Sequence, residues 1–432
     1  MGSVETRKLF SELRPVPKGI SLPLQWHARS VAGLLRLPPP PWGTASGLRL
    51  RRPASILRAV RLLLALLAGL LALVALPAAY LALRPNRAQV DPRLGVESWV
   101  VVSDGEHNSN TDMILWRGRF LLVHAASPWH LGTPRSRLLV KQSDDGRAWQ
   151  TLAELRVPGQ DIRDPKVVAI GDRLFLYALP NDSTYATPER TVLATSEDAA
   201  RWTDFEPVGP DGWLFWRPKT RDGRTWYVPA YWHDHGESIL LRSEDGRDWT
   251  QVSVIYRGEA NDETAIEFLP DGRLLATARL EVSADSLRGH SDASTLIAVA
   301  KPPYERWSQA KSRVTRLDGP ALFAHAGRIF AVARHQPGAR GFWTRLGSTF
   351  SRKRTALYRV EPERLVHLSD LPSAGDTSYA GVVLRDGQLW TDYYTSRIDR
   401  DYPWLLAMFL PTEIRMARMS LATLLALSDA TP

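Results

Sequence analysis

Six polar clusters, spread from His107 to Tyr379, carry the side chains that could do chemistry. The first holds His107, Asn108 and Asp112, the second Asp161, Arg163 and Asp164, and the third Arg217 and Lys219. The fourth holds Asn261, Asp262, Glu263 and Glu267, the fifth Asp318, and the sixth Asp376, Ser378 and Tyr379. Carboxylates interleaved with guanidiniums suit recognition of an anionic or polyhydroxylated ligand, because both groups make directed, charge-assisted hydrogen bonds. No phosphate-binding loop, nucleophile elbow or zinc-ligand spacing occurs in the chain. His233 and His235 flank Asp234, which is expected to be a solvated loop, so no metal and no cofactor are expected.

The elements that must position these clusters repeat. Each cluster leads into an apolar strand, a turn containing glycine, and a second apolar strand: Thr111 to Val123, Arg163 to Tyr177, Trp213 to Val228, Thr264 to Ala278, Pro320 to Val332 and Tyr379 to Tyr393. Between them recurs the pattern S-x-D-G-x-x-W, at Ser143 to Trp149 and Ser243 to Trp249. A third copy, Ser196 to Trp202, has alanine in place of glycine, and Trp307 is an eroded fourth. In such a turn Ser and Asp bond the backbone, Gly supplies positive φ, and Trp caps the packing of neighbouring sheets. The tryptophans recur every 47 to 58 residues, near the roughly 40 to 50 residues of a propeller blade. Six hairpins predict an all-β, six-bladed β-propeller over residues 96–432. Val100 to Val102 would give the last blade its outer strand, and Ile414 to Leu427 a strand or short helix over the closure. In that fold the polar leads converge on the mouth of the central channel.

The formal net charge of +9 raises the question of nucleic acid. Eleven Lys or Arg against two Glu fall within residues 1–61, so the remainder is formally neutral and no nucleic-acid groove is expected. Leu62 to Leu83 carries no charge and has the length of a membrane-spanning helix. The expected organisation is a basic cytoplasmic tail (1–55), a single-pass signal-anchor helix (56–84) lodged in the lipid bilayer, a linker (85–95) and the propeller. Arg49, Arg51, Arg52, Arg58 and Arg61 outnumber Arg84 and Arg87, placing the N-terminus in the cytoplasm and the propeller outside it. The absence of cysteine fits an exported domain that relies on its core.

The turn pattern resembles the Asp-box of the sialidases, one residue shorter than usual. Asn261-Asp262-Glu263-Thr264-Ala265-Ile266-Glu267 is similar to the sialidase segment ending in the glutamate that activates the nucleophile, which makes Glu267 that base. Ala278-Arg279 looks like the second arginine of the family's carboxylate-binding triad. Lys353-Arg354-Thr355-Ala356-Leu357 resembles the segment of the third, with Arg334 as the substitute. Ser378-Tyr379-Ala380 looks like the segment of the nucleophilic tyrosine. A neutral tyrosine suits an anionic sugar, which would repel a carboxylate nucleophile. Two departures stand out. Asn110 occupies the position of the first triad arginine, and where an aspartate acid is expected the nearest titratable group is His130.

The resemblance therefore implies a membrane-anchored, sialidase-like glycoside hydrolase of an anionic or polyhydroxylated glycan. Tyr379 and Glu267 would be catalytic, and Arg279, Arg354, Arg334, Asp112, Arg163, Asp164, His107, Asn108 and Glu263 would bind substrate. Arg163-Asp164-Pro165, with Asp112 and Glu263 or Glu267, also loosely resembles the carboxylate set of five-bladed furanosidases. A third possibility is a catalytically inactive propeller that binds a glycan or a protein.

Overall fold

The computed structural model describes residues 54–83, 88–182, 184, 187–281, 295–336 and 351–432. The expected cytoplasmic tail up to residue 53 and the start of the linker lie outside the described residues. Ala54–Leu83 forms one α-helix of 30 residues. Among the described residues no helix is long and apolar enough to cross a membrane. The bilayer segment expected at Leu62 to Leu83 lies partly on side chains outside the described set.

From Glu97 onward the chain is a ring of six antiparallel sheets. Five have four strands, while the third has five because its inner strand is split into Trp213–Phe215 and Lys219–Thr220. Pro218 falls in that break and has no N–H to give to the ladder. The six expected hairpins are the two inner strands of the six blades. Closure is by the first strand: Glu97–Val102 pairs with Glu413–Ser420, Trp99 opposite Met416, so the two ends of the propeller chain complete blade six together. The helix Leu421–Ala430 follows at once, burying Leu421, Leu424 and Leu427.

Strands buried on both faces explain the near-continuous apolar runs. Phe120, Leu121, Leu122 and Val123 of blade one are all fully buried, as are Ile329 to Ala333 of blade five. The repeated turns close the seams between blades. Ser143 Oγ accepts from Gly146 N at 2.8 Å, Asp145 Oδ1 accepts from Arg147 N at 2.8 Å, and Trp149 Nε1 donates to the Gly146 carbonyl at 3.0 Å. Trp99, from blade six, donates to that same carbonyl at 3.0 Å. The copy at Gly246 receives Tyr177 of blade two at 2.6 Å. A Cβ on Gly246, where φ is +76°, would lie 2.3 Å from Ile170 Cδ1, so glycine there serves both turn and seam.

Candidate active site

The innermost strand of five blades carries one extra residue against its partner, a β-bulge, at the same height. The bulges fall between Ser109 and Asp112, Arg163 and Lys166, Asp262 and Ala265, Asp318 and Ala321, and Ser378 and Gly381. Each bulge holds a residue at positive φ: Asn110 (+48°), Asp164 (+50°), Glu263 (+26°), Gly319 (+64°) and Tyr379 (+53°). Left-handed backbone in non-glycine residues costs on the order of 1–3 kcal/mol and persists only where the surroundings hold it. Here the bulges lock one another. Asn110 Nδ2 donates to Asp164, Gly319 N donates to Glu263 Oε2 at 2.7 Å, and Thr111 Oγ1 donates to the Tyr379 carbonyl at 2.6 Å. A Cβ on Gly319 would stand 2.8 Å from the Tyr379 ring.

Four of these residues, Asn110, Asp164, Glu263 and Tyr379, line a cavity of about 400 Å³ at the channel mouth, with Arg163, Arg279, Arg316, Arg334, His130 and Trp404 around them. Tyr379 Oη donates to Glu263 Oε1, and Arg279 Nη1 lies 3.0 Å from the same oxygen. Burial raises the Glu263 carboxyl to about 7, against the pull of Arg279. Burial and the Glu263 charge push the Tyr379 phenol well above its ordinary value, opposed by Arg279 and Arg334. A phenol of raised pKa hydrogen-bonded to a carboxylate of raised basicity is the arrangement that a tyrosine nucleophile with a neighbouring base requires.

Behind the pair stands a buried ionic cluster. Asp318 contacts Arg316 at 3.3 Å, Arg334 at 3.5 Å and Arg279 at 3.7 Å. Burial alone would raise its carboxyl, but the three guanidiniums hold it well below the usual carboxylate range. Arg334 also donates to Tyr394 Oη at 2.8 Å and to the Thr377 carbonyl at 2.8 Å, and its guanidinium lies over the Tyr379 ring at 5.2 Å. Among the described residues three His/Asp/Glu groupings have metal-ligand proximity: His107, His130 and Asp376; His335, His367 and Asp370; and His235, Asp262 and Glu281.

Several expectations need correction. Glu267 does not meet Tyr379; the bulge at Glu263 turns that residue to the channel and leaves Glu267 on Lys219 Nζ at 2.6 Å and Phe268 N at 2.9 Å. Arg354 is drawn elsewhere, chelating Asp401 with two bonds of 2.9 Å, and Arg334 stands at the cavity instead. Asp112 is wholly buried on Arg217, at 2.6 Å, and accepts from Val167 N at 2.9 Å, tying blades one, two and three together. That removes the carboxylate set of the furanosidase comparison. Asn108 bonds Asp104 at 2.8 Å and the Thr412 carbonyl at 3.2 Å, and His107 lies buried behind His130, so neither lines the cavity. Arg163 and Asp164 do line it, with Arg163 held by Asp161 at 2.6 Å. Arg316 was missed, although Arg316-Leu317-Asp318 repeats in reverse the acid–x–arginine spacing of Asp161-Ile162-Arg163.

The fold is that of the sialidases. Phage phi92 endosialidase superposes with a TM-score of 0.58 at 11% identity, over 76% of this chain and 69% of that one. Trypanosoma rangeli sialidase in complex with sialic acid gives 0.55 at 13%, over 79% of this chain. The same sialidase with 2,3-difluorosialic acid, a covalent intermediate, gives 0.56 at 14%. This chain spans 61% of the length of the trypanosomal protein. No family model matches the sequence, and no curated protein matches it.

Proposed function

We propose that the protein is a glycoside hydrolase of sialidase type, acting on an anionic glycan through Tyr379 as nucleophile and Glu263 as its base. The observation that carries this reading is the Tyr379–Glu263 hydrogen bond at the channel mouth, flanked by Arg279 and Arg334. Arginines beside a neutral tyrosine favour an anionic sugar. The kinship of fold with a sialidase that binds sialic acid supports the same class of substrate. The test is hydrolysis of a panel of aryl glycosides that includes a sialoside and an arabinofuranoside. Release from the sialoside is expected; Glu263→Gln should lower it by about 10²–10³-fold, while Glu267→Gln should leave it nearly unchanged. Equal losses in the two variants would refute the pairing.

A second reading, a glycan-binding propeller without catalysis, is favoured by two observations. Asn110 stands where the family has an arginine, and the cavity guanidiniums of Arg163, Arg279, Arg316 and Arg334 already have carboxylate partners. Silence across the panel from a protein that still binds a glycan array would establish it.

The proposal also tethers the propeller to a bilayer through Leu62 to Leu83, with the N-terminus cytoplasmic and the propeller on the far side. Its support is the uncharged sequence of that segment and its length. The full chain should remain in the membrane pellet after carbonate extraction; its appearance in the supernatant would remove the anchor.

A further inference from the structure

We propose that His130 is the proton donor to the leaving group, held in that role by Asp376 and His107. The inference rests on the hydrolase reading above and supplies the acid that the sequence lacks in its expected form. Cleavage of a glycosidic bond leaves an alkoxide unless a group beside it gives up a proton. The candidate must lie at the cavity wall, be fixed in orientation, and keep a titratable nitrogen free for the substrate.

His130 meets these conditions. Its Nδ1 lies 2.7 Å from Asp376 Oδ2, and its backbone N–H donates to the Met408 carbonyl at 2.9 Å. The ring packs edge-on against His107 at 5.7 Å and Trp404 at 5.6 Å. With Nδ1 turned to Asp376, Nε2 is the nitrogen left for the cavity that His130 lines with Tyr379.

Asp376 is built to stay ionised. Its Oδ1 accepts from Trp404 Nε1 at 2.8 Å, Tyr394 Oη at 2.9 Å and Arg334 Nη2 at 3.3 Å. Its Oδ2 faces both histidines. His107 Nδ1 lies 2.9 Å from the Leu410 carbonyl and so must carry hydrogen. The buried Nε2 of His107, which has no other partner, stands 3.2 Å from Asp376 Oδ2. Burial would raise the Asp376 carboxyl, but His130 and His107 hold it well below the ordinary range. An aspartate so fixed orients His130 and stabilises its imidazolium; His107 and Asp376 are positioning residues.

The proton balance closes. Tyr379 Oη bonds the anomeric carbon as its proton passes to Glu263. The carbon–oxygen bond to the leaving group breaks with its electron pair on oxygen, which takes the Nε2 proton of His130. In the second half, water gives a proton to neutral His130 and bonds the anomeric carbon as the bond from that carbon to Tyr379 breaks. The phenolate so released regains its proton from Glu263.

The charged groups facing His130 are Asp376 from blade six, His107 from blade one, Arg163 of blade two, which donates to the His130 carbonyl at 3.2 Å, and Arg334 of blade five through Asp376. Burial lowers the imidazole below its ordinary 6.5, with His107 and Arg163 in the same sense and Asp376 against them. The proton-donating form is thus lost as pH rises through a value below 6.5.

The experiment compares the dinitrophenyl and methyl glycosides of sialic acid as substrates of the full chain. A dinitrophenolate leaves without help, whereas methoxide does not. His130→Ala should lower kcat/KM on the methyl sialoside by about 10²–10⁴-fold, keep most of the rate on the dinitrophenyl sialoside, and abolish the fall in rate toward high pH. His130→Gln, whose amide can still donate to Asp376, serves if the alanine variant does not fold. Equal loss on both substrates, or a pH profile identical to that of the parent, overturns the role of His130 and leaves Tyr379 standing. No release from either substrate by the parent protein overturns both.

Discussion

Replacing Tyr379 by Phe should reduce turnover of the sialoside by at least ~10³-fold while the propeller stays folded. The phenyl ring keeps its place under Arg334 and against Trp216, whose ring centre is 6.2 Å away, and the substitution removes one oxygen. What disappears is the atom that attacks the anomeric carbon and the hydrogen bond to Glu263. Glu263 then stays buried without its donor, although Gly319 N at 2.7 Å and Arg279 at 3.0 Å still hold it. An unchanged circular dichroism spectrum beside lost turnover is the expected pair of results. Turnover within a few-fold of the parent would remove Tyr379 from the mechanism.

The second large effect is on stability. Asp318→Ala should destabilise the propeller by about 3–5 kcal/mol, because breaking a buried ion pair leaves uncompensated charge. Asp318 is 2% exposed and faces Arg316, Arg334 and Arg279. Among the described residues those three guanidiniums would then share Asp262, Glu263, Glu281 and Asp376. Arg201→Ala, which removes an ion pair whose arginine is 90% exposed, should leave the urea midpoint where it is. Equal midpoints for the two variants would show that the buried cluster contributes nothing to the fold.

The blades were legible because a strand buried on both faces writes an apolar run, and because the S-x-D-G-x-x-W turn recurs at every place where it clamps a neighbour. Blade six was legible too, since Trp99-Val100-Val101-Val102 has no partner nearby in sequence and the ring needs an outer strand. The height of the site was harder to read. In Asn261 to Glu267 two glutamates stand four residues apart, and alternation alone places them on the same face of the strand. The one-residue bulge at Glu263 breaks that equivalence and sends Glu263 to Tyr379 while Glu267 goes to Lys219. Nothing in residue type announces such a bulge: the five carry Asn, Asp, Glu, Gly and Tyr. Arg354 and Arg334 sit opposite one another's neighbours on paired strands, Arg334 facing Thr355 and His335 facing Arg354, so both were reasonable. Asp401, distant in sequence, decides between them by taking Arg354.

The central claim is that Tyr379 forms a bond to the sugar. The most direct measurement is to incubate the protein with 2,3-difluorosialic acid, which slows release of such an intermediate, and to map the added mass by peptide mass spectrometry. A sialosyl adduct on Tyr379, absent from Tyr379→Phe and much reduced in Glu263→Gln, is the predicted result. An adduct on any other residue, or no adduct from protein that hydrolyses the aryl sialoside, would contradict it.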